Sequence, residues 1–111
     1  MSKYKNIKTV IHGHKFDSRK EALRYSELQI LQLAGEISDL ELQPRFKIVP
    51  AVVWNKKLPA RFYVADFKYK QNGKEIVEDV KSEITLKNAV YTLKRQLFLL
   101  KYGEKYTFLE S

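Results

Sequence analysis

Two aspartates and a lysine in the middle of the chain have the types and spacing to bind a divalent cation beside an anionic substrate. Asp66 precedes the dipeptide Asn72-Gly73, and Asp79 and Lys81 follow it. Asn-Gly between two strand-like runs predicts a tight two-residue hairpin turn, because both turn residues must adopt positive φ. With that turn, the ladder places Asp66 directly opposite Asp79. Since side chains alternate along a strand, Lys81 is expected on the same face as Asp79.

The chemistry of this group is metal-assisted hydrolysis of a phosphate ester. Two opposed carboxylates cost free energy unless a positive charge lies between them, and their hard oxygens suit Mg²⁺ or Mn²⁺. The backbone carbonyl of Val80 is a further expected ligand. Lys81 would orient or activate a water molecule, or stabilise charge on a scissile phosphate. The alternative is an ordinary exposed hairpin on which Lys68 and Lys81 neutralise Asp66 and Asp79.

A helix on the N-terminal side of this hairpin is expected to supply a third carboxylate. Ser18 and Glu21 form the capping-box pattern S-x-x-E, which predicts a helix from Ser18 to about Ala34 that ends at Gly35. Glu21 then either completes the metal shell or serves only as the partner of the cap.

The next segments are predicted to lead into the hairpin. Residues 36–44 form a polar connection, and Arg45–Trp54 forms a strand interrupted by Pro50. The turn that follows carries Lys56 and Lys57, which either reach a phosphate backbone or remain solvated. Within the hairpin, one face is expected to carry Tyr63, Ala65, Phe67, Tyr69, Ile76, Glu78 and Val80. On that apolar face Glu78 is expected near an edge or partly solvated.

A second helix is predicted from Leu86 to Tyr102, with Gly103 at its end, and residues 105–110 form a last strand joined by a crossover connection. The expected core face of this helix consists of Ala89, Val90, Leu93, Leu97, Phe98 and Leu100. After a short N-terminal strand or hairpin at residues 9–16, the order of elements is αβββαβ. The fold class is therefore α/β, with a mixed sheet and helices packed against it.

Composition bounds the class of protein and its partner. The 111 residues predict one domain with a real core, since 44% are hydrophobic. No apolar run is long enough for a membrane span, and without cysteine the chain is expected to be soluble and cytoplasmic. The formal charge of +8 favours a polyanionic partner, and residues 1–8 are expected to form a flexible basic arm.

These residues resemble the PD-(D/E)XK nuclease superfamily, whose acidic residue on the second core strand corresponds to Asp66. Its (D/E)-x-K motif corresponds to Asp79-Val80-Lys81, and the glutamate that many members carry on the first helix corresponds to Glu21. The chain departs from that pattern with Ala65 in place of proline before Asp66, and with Ser82 where glycine is more familiar. More closely, the chain resembles a family of small phage- and prophage-encoded proteins. The matching phrases are FDSRKEALRYSEL, GEISDLELQPRF, YVADFKY, EDVKS and YTLKRQLFLLKY.

The resemblance implies a phage-encoded, metal-dependent endonuclease that hydrolyses DNA in processing, recombination or repair, acting with Mg²⁺ or Mn²⁺ and either as a monomer or as a homodimer. It also implies that Gln43, Tyr91 and Lys94 line the substrate side. The other expected DNA-binding residues are Lys56, Lys57, Lys68 and Arg95. A non-catalytic DNA-binding module of the same fold, in packaging or replication, is the second hypothesis, and a virion adaptor protein is the third.

Overall fold

The computed structural model describes residues 9–11, 13–16 and 18–111; the basic arm expected at residues 1–8 lies outside them. The helices are α1 (Arg19–Leu33), α2 (Glu83–Leu86) and α3 (Ala89–Tyr102). The strands are β1 (Thr9–Ile11), β2 (His14–Phe16), β3 (Ser38–Leu42), β4 (Arg45–Val49), β5 (Val52–Val53), β6 (Lys57–Leu58), β7 (Arg61–Val64), β8 (Phe67–Gln71), β9 (Lys74–Asp79) and β10 (Thr107–Glu110). No described helix is long and apolar enough to cross a membrane.

The main sheet has four strands in the order β10-β9-β8-β3. β10 runs parallel to β9, and the other pairs are antiparallel, so the predicted mixed sheet is confirmed. The two-residue turn is also confirmed, because Gln71 pairs with Lys74. Asn72 and Gly73 have φ values of 53° and 77°, the left-handed conformation that Asn and Gly accept at low cost.

Helix α1 forms where the capping pattern predicts it. The Ser18 side chain accepts a hydrogen bond of 3.1 Å from the backbone N–H of Glu21. At the other end, Gly35 takes a φ of 80° just after the C-cap residue Ala34, which is the usual way to turn the chain out of a helix. The buried face of α1 packs on one side of the sheet, and the core there contains Ala22, Tyr25, Leu28, Phe67, Tyr69, Ile76 and Val80.

The predicted αβββαβ order holds for this sheet, but its first strand was wrongly placed. Ser38–Leu42, expected to be a polar connection, forms the edge strand β3 and pairs with β8. Its polar residues face solvent, while Leu40 and Leu42 pack against the core. Arg45–Val49 belongs instead to a separate two-stranded ribbon with β7, and the chain beyond Pro50 forms the small β5–β6 hairpin.

The first strand of the central hairpin is broken, which changes the predicted faces. β7 ends at Val64 because its partner is β4, and β8 starts at Phe67 because its partners are β3 and β9. At the break, the N–H of Ala65 donates to the Pro44 carbonyl. Tyr63 and Ala65 therefore pack with Val77 on the α3 side. The expectation that they share a face with Phe67 was wrong.

Helix α3 begins at Ala89 and not at Leu86, because Asn88 caps it by accepting a 3.0 Å hydrogen bond from the Tyr91 N–H. Its predicted core face is confirmed for Phe98, which is fully buried, and for Leu97, which packs against the core. It was wrong for Val90, Leu93 and Leu100, which are 63%, 60% and 83% exposed. The helix buries its aromatic stripe instead, with Phe98 fully buried among Phe46, Tyr63, Tyr102, Tyr106 and Phe108. Aromatic rings bury more area than aliphatic side chains, so this stripe decides the orientation.

Candidate functional site

A cavity of about 280 Å³ opens where β9 ends, between the first turn of α1 and the short helix α2. Its lining residues are Ser18, Lys20, Glu21, Asp66, Val80, Lys81, Ser82 and Thr85. Glu21, Asp66, Val80 and Lys81, which are 60 residues apart in the chain from first to last, are thus brought to one place as predicted. Asp79 is fully buried at the end of β9, in contact with both Asp66 and Lys81.

Asp66 is held by its backbone and by one oxygen of its side chain. Its N–H donates to the Glu78 carbonyl at 3.2 Å, and its carbonyl accepts from the Gln43 N–H at 2.9 Å. The Oδ2 atom accepts a 2.7 Å hydrogen bond from the Val80 N–H. Because Asp66 lies in the gap between β7 and β8, its side chain is fixed across the end of β9, as a ligand position requires.

Asp79 has two different oxygen environments. Oδ2 accepts a hydrogen bond from the Tyr63 hydroxyl. Oδ1 lies 2.9 Å from the Lys81 ammonium, but it is buried without a hydrogen-bond partner among the described residues, so the lysine meets it as a charge and not in a hydrogen-bonding direction. A buried carboxylate oxygen without a hydrogen bond is costly; the charge of Lys81 offsets part of that cost, and a bound cation would offset more of it.

Both aspartates have raised pKa values. Burial, the largest cause in each case, raises the pKa of Asp66 to about 6 and that of Asp79 to about 7. The negative charge of Glu21 raises the pKa of Asp66 further, and Asp66 acts in the same direction on Asp79. Hydrogen bonds with Asp79 and with the Val80 N–H lower the pKa of Asp66, and the hydrogen bond from Tyr63 lowers that of Asp79. Together with the charge of Lys81, they offset only part of the rise. The charge of Lys81 therefore does not fully compensate the burial of the two carboxyl groups.

Lys81 keeps its proton at neutral pH. Burial acts to lower its pKa, but the charges of Asp79, Asp66 and Glu21 outweigh burial and raise it. The ammonium also lies 5.1 Å from the centroid of the Tyr91 ring, within the range of a cation–π contact. Because it remains a cation, Lys81 can donate hydrogen bonds to an anion and stabilise its charge.

The donor set fits Mg²⁺ or Mn²⁺. Asp66 and Asp79 present hard oxygens, Asp79 Oδ1 lacks a hydrogen bond, and no described residue donates to the Val80 carbonyl. Among the described residues, no three His, Cys, Asp or Glu side chains converge as a complete metal shell, so Glu21 lines the cavity without joining the two aspartates. Mg²⁺ commonly binds through one or two carboxylates and keeps its other ligands as water, which agrees with such a sparse set.

The expected DNA-binding residues are spread over several surfaces, and none of them lines the cavity. Gln43 is exposed beside the site, with its backbone bonded to Asp66. Tyr91 lies over Lys81 and donates a 2.5 Å hydrogen bond to Glu110, and Arg95 pairs with the same carboxylate at 2.7 Å. The remaining four are Lys56 and Lys57 on the β5–β6 hairpin, Lys68 near the Tyr106 ring and Lys94 on α3.

Three contributors to this site could not be found from the sequence pattern. Tyr63 was expected on the opposite face and reaches Asp79 only because the strand breaks after it. Lys20 lines the cavity and donates to the Lys81 carbonyl at 3.0 Å; its position next to Glu21 was the available signal. Glu78 is fully buried, not partly solvated, because Arg24 of α1 binds both of its carboxylate oxygens, at 2.6 and 3.0 Å.

A protein-family model described as "Protein of unknown function (DUF1064)" matches residues 1–110. The chain belongs to the DUF1064 family. No curated protein and no solved structure matches the chain. The DUF1064 match spans the sheet, both long helices and every residue around the cavity, and the description attaches no reaction to them. A function must therefore be argued from the geometry of the site.

Proposed function

We propose that this protein is a DNA endonuclease that hydrolyses phosphodiester bonds with Mg²⁺ or Mn²⁺. The observation that carries the proposal is the buried pair Asp66 and Asp79, placed with the cation Lys81 at a solvent-open cavity. Two buried like charges destabilise a fold, so such a pair is expected where a bound cation offsets the repulsion. Perturbed carboxyl groups in a cleft are typical of functional sites.

Asp66, Asp79 and the carbonyl of Val80 would hold the metal. When bound, Mg²⁺ or Mn²⁺ would lower the pKa of a coordinated water molecule and neutralise charge on the scissile phosphate. Glu21, on the cavity wall, would hold a water molecule of the outer shell. Tyr63 keeps the Asp79 carboxylate in one orientation through its hydrogen bond.

Lys81 is assigned to the phosphate. Its ammonium lies 2.9 Å from Asp79 Oδ1, the residue lines the open cavity, and its raised pKa keeps it charged. A fixed cation at this position stabilises the additional negative charge that develops on the phosphate during attack. Lys20, whose Nζ is bonded to the Lys81 carbonyl, adds positive charge on the same wall.

DNA is the substrate class that the charge of the protein favours. The formal net charge is +8, and polyanion binding draws on such an excess. The resemblance of Asp66, Asp79-Val80-Lys81 and Glu21 to the PD-(D/E)XK nucleases supports the same conclusion. The similarity to phage-encoded proteins supports a role in phage DNA processing, recombination or repair.

A second candidate function is a DNA-binding module without catalysis. The ion pair between Lys81 and Asp79 favours it, because a lysine of the protein itself then neutralises the carboxylate. The ribbon formed by β4 and β7, which carries Arg45, Lys47 and Arg61, would bind DNA in either case.

Cleavage assays decide between the two. The protein would be incubated with supercoiled plasmid and with branched DNA in Mg²⁺, Mn²⁺ or EDTA, beside Asp79→Asn. A matched control is Asp39→Asn, since Asp39 is exposed and its φ of 55° suits asparagine. We expect cleavage that requires metal, survives in Asp39→Asn and is lost in Asp79→Asn. Tight binding without cleavage in any metal would leave the binding module as the function.

A further inference from the structure

The β5–β6 hairpin stands apart from the rest of the fold. Its two strands pair only with each other among the described residues, and every residue from 50 to 57 is exposed. At the tip, the N–H of Trp54 donates to the Lys56 carbonyl at 3.0 Å and closes the turn. The hairpin is therefore a defined projection whose side chains face solvent.

The tip of this projection is apolar. Val53 is 79% exposed and Trp54 is 70% exposed. Trp54 is the only tryptophan of the chain, and tryptophan is usually highly buried because of its large apolar area. An indole held out on a short hairpin with most of its surface exposed is expected to meet another molecule.

The segment that contains the hairpin carries basic side chains and no acidic ones. Residues 43–65 contain no Asp or Glu and five cations, which are Arg45, Lys47, Lys56, Lys57 and Arg61. None of the five has a carboxylate within 4.0 Å in the described part of the chain. This distribution argues against a second copy of the chain as the occupant, because two such hairpins would repel each other.

The hairpin is joined directly to the candidate site. It connects β4 to β7, and Asp66 follows two residues after the end of β7. From Arg61 to Asp66 the chain rises by roughly 17 Å if extended, which is about the length of five nucleotides of B-form DNA. The cations Arg45 and Lys47 lie on the ribbon between the two places. A membrane surface would contact only the tip of the hairpin. Cations distributed along the β4–β7 ribbon therefore fit a strand of nucleic acid better than a membrane.

We propose that Trp54 stacks on an unpaired base while Lys56, Lys57 and Arg61 hold the neighbouring phosphates. Aromatic side chains combined with a basic groove are the usual means of binding single-stranded DNA, and stacking on a base inside an intact duplex would first require unstacking it. The substrate class is therefore DNA with single-stranded or unstacked nucleotides, such as tails, flaps and junctions. The inference rests on the proposed function, because the DNA strand that the hairpin binds would be the strand that is cleaved at Asp66.

Intrinsic fluorescence tests the proposal directly, because Trp54 is the sole tryptophan. The Asp79→Asn protein, kept in EDTA so that no DNA is cut, would be titrated with a duplex, the same duplex with an unpaired tail, and the tail alone. We expect tryptophan quenching by the tail and by the tailed duplex, and little quenching by the plain duplex. The variants without tryptophan are followed by the fluorescence anisotropy of labelled DNA. Trp54→Ala should weaken binding of the tailed duplex about 10- to 100-fold, Trp54→Phe should restore part of it, and Val53→Ala should change it little.

Each other outcome overturns the proposal in a distinguishable way. If tailed DNA binds without quenching, and Trp54→Ala binds it with unchanged affinity, then Trp54 does not stack on a base. That result would leave the nuclease proposal intact. Equal quenching by duplex and tail removes the preference for unpaired bases. Quenching by anionic lipid vesicles but by no DNA would show that the hairpin binds a membrane. A blue shift of the tryptophan emission that grows with protein concentration alone would show that it binds a second copy of the chain. Cleavage by wild-type protein is measured separately and tests the nuclease proposal alone.

Discussion

The Lys81 ammonium lies 2.9 Å from Oδ1 of Asp79, a fully buried carboxylate that Tyr63 also contacts through Oδ2. One carboxylate therefore meets a lysine on one side and a phenol on the other, and its charge would link the proposed metal site to the proposed phosphate site. A metal ion on Asp79 would compete with Lys81 for the same oxygen. Once metal binds, the ammonium is available to a phosphate in the cavity.

Replacing Lys81 should remove cleavage while sparing metal binding. We expect Lys81→Met to lower the cleavage rate about 10²- to 10³-fold, the usual cost of losing one donor to a developing oxyanion. Binding of Mg²⁺ should be retained or improved, because Lys81 no longer competes for Asp79. The measurement pairs single-turnover cleavage with titration of Mg²⁺ against thermal stability. Lys101→Met, which removes an exposed lysine of α3, is the control, and an equal loss of activity in both variants would contradict the assignment.

Metal binding should stabilise the protein more as the pH rises. The ordinary pKa of an aspartate is about 3.8, and burial raises the values for Asp66 and Asp79 to about 6 and about 7. Between about pH 4 and about pH 7 the two aspartates hold more protons in the folded state than in the unfolded state. In EDTA their contribution to the free energy of unfolding therefore falls as the pH rises from about 4 to about 7. Metal replaces those protons, and at about 100 times its Kd it adds about 2.7 kcal/mol.

The check is thermal denaturation with Mg²⁺ or EDTA at pH 5 and pH 8. We expect a larger metal-induced rise in Tm at pH 8, and no rise in Asp79→Asn at either pH. A metal effect of equal size at both pH values would separate metal binding from these two carboxyl groups.

The position of the two aspartates was predictable because it depends on local chemistry. Asn72-Gly73 selects a two-residue turn, and that turn fixes the register of β8 on β9 over five residue pairs. Glu21 was likewise predictable from the cap at Ser18. In each case the residues that decide the geometry are next to one another in the chain.

The surroundings of the site depend on pairing between distant segments, and the sequence pattern misjudged them. β7 leaves the hairpin because β4 competes for it, and nothing in residues 61–71 marks the break at Ala65. Glu78 was expected near an edge or partly solvated, and its burial was missed because its partner Arg24 lies 54 residues away on α1. The apolar residues of α3 form two stripes, and only the aromatic partner Phe46 shows which stripe is buried.

Removing one carboxylate should make the metal-free protein more stable. Asp66→Asn keeps an oxygen that can accept from the Val80 N–H but removes a charge that burial disfavours. We expect the free energy of unfolding in EDTA at pH 8 to rise by roughly 1 to 2 kcal/mol, since one pKa unit corresponds to about 1.4 kcal/mol. Urea denaturation measures it, and the same variant should be inactive. A destabilised Asp66→Asn would mean that the pair is not under charge repulsion.

The ion pair between Arg24 and Glu78 should contribute to the fold and not to cleavage. Burial acts to raise the pKa of Glu78, but hydrogen bonds from Arg24, Tyr69 and Ser111 outweigh it and lower the pKa. We expect Arg24→Met to lower the free energy of unfolding by about 3 kcal/mol, because Glu78 is then buried without its cation. At temperatures where the variant is folded, its cleavage rate should be close to that of the wild type, and Arg19→Met on the exposed side of α1 is the matched control.

Tyr63 should act on catalysis only through Asp79. Its hydroxyl hydrogen bond helps to lower the pKa of that carboxyl group against the larger effect of burial, so in Tyr63→Phe the pKa of Asp79 should rise above about 7. A protonated Asp79 does not bind metal, and the acidic limb of the pH–rate profile should therefore move to higher pH, while the rate at high pH and saturating Mg²⁺ stays within a few-fold of wild type. Tyr102→Phe loses a similar hydroxyl hydrogen bond, to the Lys47 carbonyl, and should leave the profile in place. An unshifted profile in Tyr63→Phe would show that its hydrogen bond does not tune Asp79.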